Sequence, residues 1–113
     1  MKGDKMNYCN LTISIDDETS IMEAVCQCFD SETKNLMIDD KYLSDDFFDL
    51  KTGLAGICMQ KFINYGIKAA VVLNSYDRVN ERFSELILEL NKRDDFKFFN
   101  TLVEAQNHFD LTH

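Results

Sequence analysis

The spacing of apolar positions changes period several times along the chain, and each change marks an element. Leu11, Ile13 and Ile15 alternate with Thr12 and Ser14, the period of two of a strand with one buried face. This predicts a strand from Tyr8 to Ile15, ended by Asp16-Asp17-Glu18. Ser20-Ile21-Met22-Glu23 has capping-box form, a hydroxyl at the cap and a carboxylate three residues on. Behind it Ile21, Val25, Cys28 and Phe29 make the stripe of an amphipathic helix, with Met22 and Ala24 off the stripe. Leu36-Met37-Ile38 is a short unbroken run, as a strand covered on both faces would be. A second helix is expected from near Thr52 to Tyr65, burying Leu54, Ile57, Cys58, Phe62 and Tyr65, with Gly66 as its left-handed stop.

Ile67 to Leu73 is almost wholly apolar and includes β-branched Ile67, Val71 and Val72, which predicts a central strand parallel to Leu36–Ile38. Asn74 to Arg78 is a loop beyond its carboxyl end. A third helix is expected from about Asn80 to Asn91, with Phe83, Leu86, Ile87 and Leu90 inward. Phe96 to Phe99 is the fourth strand. Thr101-Leu102-Val103-Glu104 repeats the capping box before a short helix that buries Leu102, Ala105 and Phe109. Residues 1–7 and 110–113 are expected to fray. The order is β-α-β-α-β-α-β-α, which predicts an α/β domain with a small, mostly parallel sheet of four or five strands.

Composition narrows the classes. The 113 residues suit one domain with one core. An apolar share of 45% with nine phenylalanines argues against disorder. No apolar run is long enough to span a bilayer, and the polar start lacks the apolar stretch of a signal peptide, so a cytoplasmic protein is expected. Twelve basic against twenty acidic residues give a net charge of −8. That sign disfavours direct nucleic-acid binding and is compatible with a basic protein partner. The four cysteines contain no C-x-x-C pair, and Cys26 and Cys28 diverge on their helix. Reduced thiols, with none catalytic or metal-bound, are expected.

Chemistry concentrates where the Leu36–Ile38 strand meets the second helix. In open α/β sheets, ligands gather outside the carboxyl ends of the strands. That rim would carry Asp39, Asp40, Ser44, Asp45, Asp46, Asp49, Lys51 and Thr52, joined by Asn74, Ser75 and Asp77. Asp49 or Thr52 fits a helix cap. Gly53 and Gly56 would let a phosphate approach the backbone, or a phosphorylated Thr52 be held there. The aspartates also offer the oxygen ligands that Mg²⁺ prefers. As a docking surface, the acids would steer a partner towards Phe47 or Phe48 as the anchor. No Ser/His/Asp or Cys/His arrangement and no phosphate-binding glycine loop can be assembled, so catalysis has little support.

The block Asp45-Asp46-Phe47-Phe48-Asp49-Leu50-Lys51-Thr52-Gly53-Leu54-Ala55-Gly56 closely resembles that of a bacterial family, the domain of unknown function 4180. This resemblance spans most of the chain and brings no established activity. More loosely, the wiring and the order Leu36-Met37-Ile38-Asp39, Phe47-Phe48-Asp49, Thr52-Gly53-Leu54 resemble the STAS domain of anti-sigma-factor antagonists. Leu50-Lys51 is extra here and displaces Thr52 from the position of the STAS switch serine, and the N-terminal hairpin is shorter. The residues and the resemblance together lead us to expect a non-enzymatic, STAS-like regulatory or partner-binding module, and no cofactor or metal is expected. Its site would comprise Asp39, Asp45, Asp46, Asp49, Lys51, Thr52 and Gly53, with Thr52 as the phospho-switch. Two alternatives stand beside it: a small metal-dependent or anion-binding enzyme using the aspartates, and an acidic inhibitor covering a basic surface of its target.

Overall fold

The computed structural model describes residues 7–111. It is an α/β layer structure on a parallel sheet, with strands β1 (Cys9–Asn10), β2 (Asn35–Asp39), β3 (Lys68–Val72) and β4 (Phe96–Phe99) lying side by side in chain order. All three neighbouring pairs are parallel, with Leu36 beside Ala69 and Ala69 beside Phe96. The expected class, alternation and strand number are present. β3 lies between β2 and β4, as its almost wholly apolar run leads one to expect, and Ile67 and Leu73 extend its burial at both ends.

Helices α1 (Glu18–Asp30), α3 (Leu54–Asn64) and α4 (Glu81–Leu90) cover one face of the sheet. The core there joins Ile21, Val25 and Cys28 to Leu36, Ile38, Val71 and a cluster of phenylalanines. The ring centroids of Phe47 and Phe48 lie 6.0 and 5.0 Å from that of Phe83, while Phe62 and Phe96 are 6.0 Å apart. The other face is covered by α5 (Leu102–Leu111), whose Ala105 and Phe109 close over Met37, Ala70 and Val72. Two layers of unequal size result.

Several expectations are corrected. The first strand is two residues long rather than eight. Beyond Asn10 the segment keeps only the bond from Leu11 N to Met37 O and an isolated bridge between Ile15 and Leu43. Its apolar residues still turn inward, with Leu11 and Ile15 buried. The capping box sits three residues earlier. Asp17 is the cap, its carboxylate accepting from Ser20 N at 2.8 Å, and Ser20 Oγ accepts from Asp17 N at 3.0 Å. Ala24, placed off the stripe by its spacing, is fully buried, while Phe29 is exposed and packs edge-on against exposed Tyr65.

α3 begins at Leu54, two residues after Thr52, and leaves Ile57 and Tyr65 partly in water. Gly66 takes the expected left-handed conformation (φ 71°). At α5 the expected box is half made. Thr101 Oγ1 accepts from Glu104 N, but the Glu104 carboxylate reaches Asn100 N, and Leu102 is exposed rather than inward. Asn7 is held in place, its amide donating to Phe109 O and its carbonyl accepting from Asn35 Nδ2 at 2.9 Å. Asp110 and Leu111 continue α5. The fraying expected for residues 1–6, 112 and 113 concerns positions outside the described residues.

Candidate functional site

At the carboxyl end of β2 the chain leaves the sheet through two aspartates with different fates. Asp39 is half-buried, and its Oδ1 accepts from Lys41 N at 3.0 Å and Asn74 Nδ2 at 3.1 Å. Asp40 turns inward and is buried. Its carboxylate accepts from Asn74 N at 2.8 Å, Asn74 Nδ2 at 3.0 Å and Ser75 N at 3.3 Å. A buried carboxylate is tolerated only when donors surround it, and here they come from the loop after β3. Asp40 therefore ties the two central crossovers together at the strand ends.

Arg78 completes the tie. Its Nη2 donates to Asp40 O at 2.8 Å, and its Nη1 donates to Leu43 O at 2.6 Å and to Asp45 Oδ1 at 3.2 Å. The guanidinium also lies over the Phe48 ring, 4.5 Å from its centroid. The carbonyls at the end of a short turn have no helical partners of their own, and the planar fork of an arginine satisfies two of them at once. Sequence reading missed this residue. The available signal was a single cation in an otherwise polar loop that faces an acidic rim.

The rim proper is built from two single turns joined by Asp49. Ser44 caps α2 (Asp45–Phe48), and Asp49 caps a 3₁₀ turn at Leu50–Thr52, its carboxylate accepting from Lys51 N at 3.0 Å. Thr52 Oγ1 lies 2.6 Å from Asp46 O and 2.9 Å from Asp49 O, and accepts from Leu54 N at 3.2 Å. One hydroxyl proton is thus shared between two carbonyls, clasping the turns against α3. Gly53 follows with φ 77°, open space where a Cβ would stand, and no side-chain cap of its own.

Phe47 and Phe48 are both core, so neither is the expected anchor. What faces water is Asp45, Asp46, Asp49, Leu50, Lys51 and Thr52, with the Asp45 side chain 90% exposed. The structure thus brings Asp45, Asp46, Asp49, Lys51, Thr52 and Gly53 together on one braced segment. Asp39 stands apart at the strand end, and Asp77 contributes only its backbone N–H, to Ser75 Oγ. Among the described residues, no three His, Cys, Asp or Glu side chains converge as a metal ion requires.

On the other side of Asp39, a cleft of about 440 Å³ opens over the carboxyl ends of β1, β2 and β3. Its apolar lining is Leu11, Met37, Val72 and Leu102, and Asn10, Thr12, Asp39, Lys41, Tyr42 and Asn74 supply the polar groups.

The model of the family described as domain of unknown function 4180 matches residues 4–109. The chain belongs to this family. In this member the block at residues 45–56 forms the braced rim together with the first turn of α3. No curated protein and no solved structure matches the chain. None of the helices among the described residues is long and apolar enough to cross a membrane.

Proposed function

We propose that the protein is a non-enzymatic regulatory module of the bacterial cytoplasm that docks a basic protein partner on the rim at residues 45–52. The observation that supports this reading is the contrast between the rim and its support. The acids Asp45, Asp46 and Asp49 are exposed and flank Leu50, a partly exposed apolar residue. Beneath them the segment is held by buried Phe47 and Phe48, by Arg78 and by the Thr52 hydroxyl. A rigid display of charge around a small apolar centre loses little conformational freedom on binding and steers an oppositely charged surface.

Thr52 is the lever in this reading. A phosphoryl group on its oxygen removes the proton shared by Asp46 O and Asp49 O and adds about −1.5 to −2 charges beside three aspartates. Phosphorylation would loosen the rim as well as recharge it, releasing the partner. The test is affinity purification from the native cell with identification of what co-purifies. The wild type is compared with the Asp45→Asn/Asp46→Asn/Asp49→Asn triple variant and with Thr52→Glu. A protein retained by the wild type, lost from both variants and lost at raised salt is expected. Equal recovery by all three proteins overturns the docking reading. Loss from the triple variant alone keeps the dock and removes the switch.

A further inference from the structure

The acidic rim leaves the cleft on the opposite side of Asp39 without a role, and the cleft has a chemistry of its own. Its volume, about 440 Å³, lies in the range that holds a small organic molecule. It sits where open α/β sheets place their ligands, outside the carboxyl ends of adjacent parallel strands. A larger hollow of about 620 Å³ along α1 is walled by that helix alone and would leave a ligand wet. The cleft instead draws its walls from β1, β2, β3, the turn at Asp40–Tyr42 and the start of α5.

Three features select the ligand. The floor is apolar, made by buried Leu11, Met37 and Val72, and Leu102 stands beside it 48% exposed although on a helix that otherwise covers the sheet. One pole is negative. Both hydrogen bonds to the Asp39 carboxylate from described residues go to Oδ1, which leaves Oδ2 to accept from a ligand. The other pole is positive. The Lys41 ammonium takes part in none of the ion pairs among the described residues and rests 5.3 Å from the centroid of its neighbour Tyr42. Two opposite charges line one cleft without meeting each other.

A simple anion would be opposed by Asp39, and a simple cation by Lys41. A molecule that carries both signs, with an apolar group to cover Leu102 and the floor, satisfies all three features. We infer that the cleft is a binding site for a small zwitterion with an apolar side chain, of the class of the free apolar α-amino acids. The ligand's ammonium meets Asp39 Oδ2, its carboxylate meets Lys41 Nζ, and its side chain lies over Met37, Val72 and Leu102.

The probes are L-leucine, N-acetyl-L-leucine, which lacks the ammonium, and L-leucine methyl ester, which lacks the carboxylate. Each is titrated into the ¹⁵N-labelled protein and followed by amide shifts. L-leucine should produce saturable shifts at residues 10–12, 37–41, 72–74 and 102 below about 10 mM. Each blocked derivative should bind about tenfold more weakly or worse, the effect of losing one charge-assisted hydrogen bond. Asp39→Asn should weaken L-leucine similarly. Because Asp39 also caps its turn, Lys41→Ala, which alters only an exposed side chain, is the companion variant. It should weaken L-leucine and leave the methyl ester unchanged. No saturation by about 10 mM, or binding that survives the loss of either pole, overturns the assignment.

Discussion

Asp40 gives the sharpest test of how the strand ends are held together. Its buried carboxylate accepts from Asn74 N, Asn74 Nδ2 and Ser75 N at 2.8, 3.0 and 3.3 Å. A hydrogen bond to a charged group contributes about 1.5–3 kcal/mol net. Asn74 and Ser75 are themselves exposed, so part of the loss is recovered when their donors turn to water. The 3.3 Å contact is long and counts for little. Asp40→Ala should therefore cost about 2–3 kcal/mol, or about 10 °C in Tm at this chain length. Asp40→Asn keeps one acceptor but turns an amide towards amide donors, and should cost about half as much. The control is Asp45→Ala, which severs only the Arg78–Asp45 pair, 3.2 Å long with side chains 37% and 90% exposed. Such a pair is worth about 0.5 kcal/mol or less. Urea unfolding with an unchanged denaturant slope measures all three. An Asp40→Ala variant within about 0.5 kcal/mol of the wild type, or one no worse than Asp45→Ala, refutes the account of Asp40 as the tie.

Three further outcomes are expected. Thr52→Ala should lose about 1 kcal/mol by thermal denaturation, because the hydroxyl both donates to the Asp46 and Asp49 carbonyls and accepts from Leu54 N; an unchanged melting point contradicts the clasp. Among the thiols, exposed Cys26 should be alkylated quickly in the folded protein and Cys28 and Cys58 only on unfolding, as read by mass spectrometry. Burial, with neighbouring Cys9 adding to it, pushes Cys28 up to about 12, and burial raises Cys58 as well. His108 is held below its ordinary pKa chiefly by burial and then by Lys97, with Asp94 opposing. Its contribution to stability is complete above the unfolded imidazole value of about 6.5 and is lost as pH falls from there through the lowered folded value. Between about pH 7.5 and about pH 5.5 the wild type should lose more stability than His108→Phe, and parallel losses would contradict this.

The sheet was legible where burial on both faces removes any choice. Ile67 to Leu73 cannot be half-wet, and it lies between two neighbours. Errors fall where two local solutions share one spacing. Asp17 and Ser20 stand three apart, as do Ser20 and Glu23; the chain takes the earlier pair and gains a turn of helix. Ala24 was missed because a small side chain carries little weight in a stripe, although it is the size that a close helix contact admits. The turns at Asp45–Phe48 and Leu50–Thr52 are too short to show any period. Which acids would be pinned and which displayed was also hidden. Asp39 and Asp40 are neighbours of one type, and only the loop that returns 34 residues later distinguishes them. Arg78 binds main-chain carbonyls 35 and 38 residues away, which no side-chain pattern records.

The two faces of the sheet are completed at different times in the life of the chain. Because the strands lie in sequence order, each βα unit added during synthesis docks beside the one before it, and the larger layer grows without waiting for distant partners. The smaller face has no such luxury. Met37, Ala70 and Val72 are in place once β3 has paired, yet their cover, Ala105 and Phe109, is among the last of the described residues to emerge. A chain cut short before α5 would leave that apolar face bare, and exposed apolar surface favours aggregation and proteolysis. Docking of α5 is therefore the step that closes the smaller face over Met37, Ala70 and Val72.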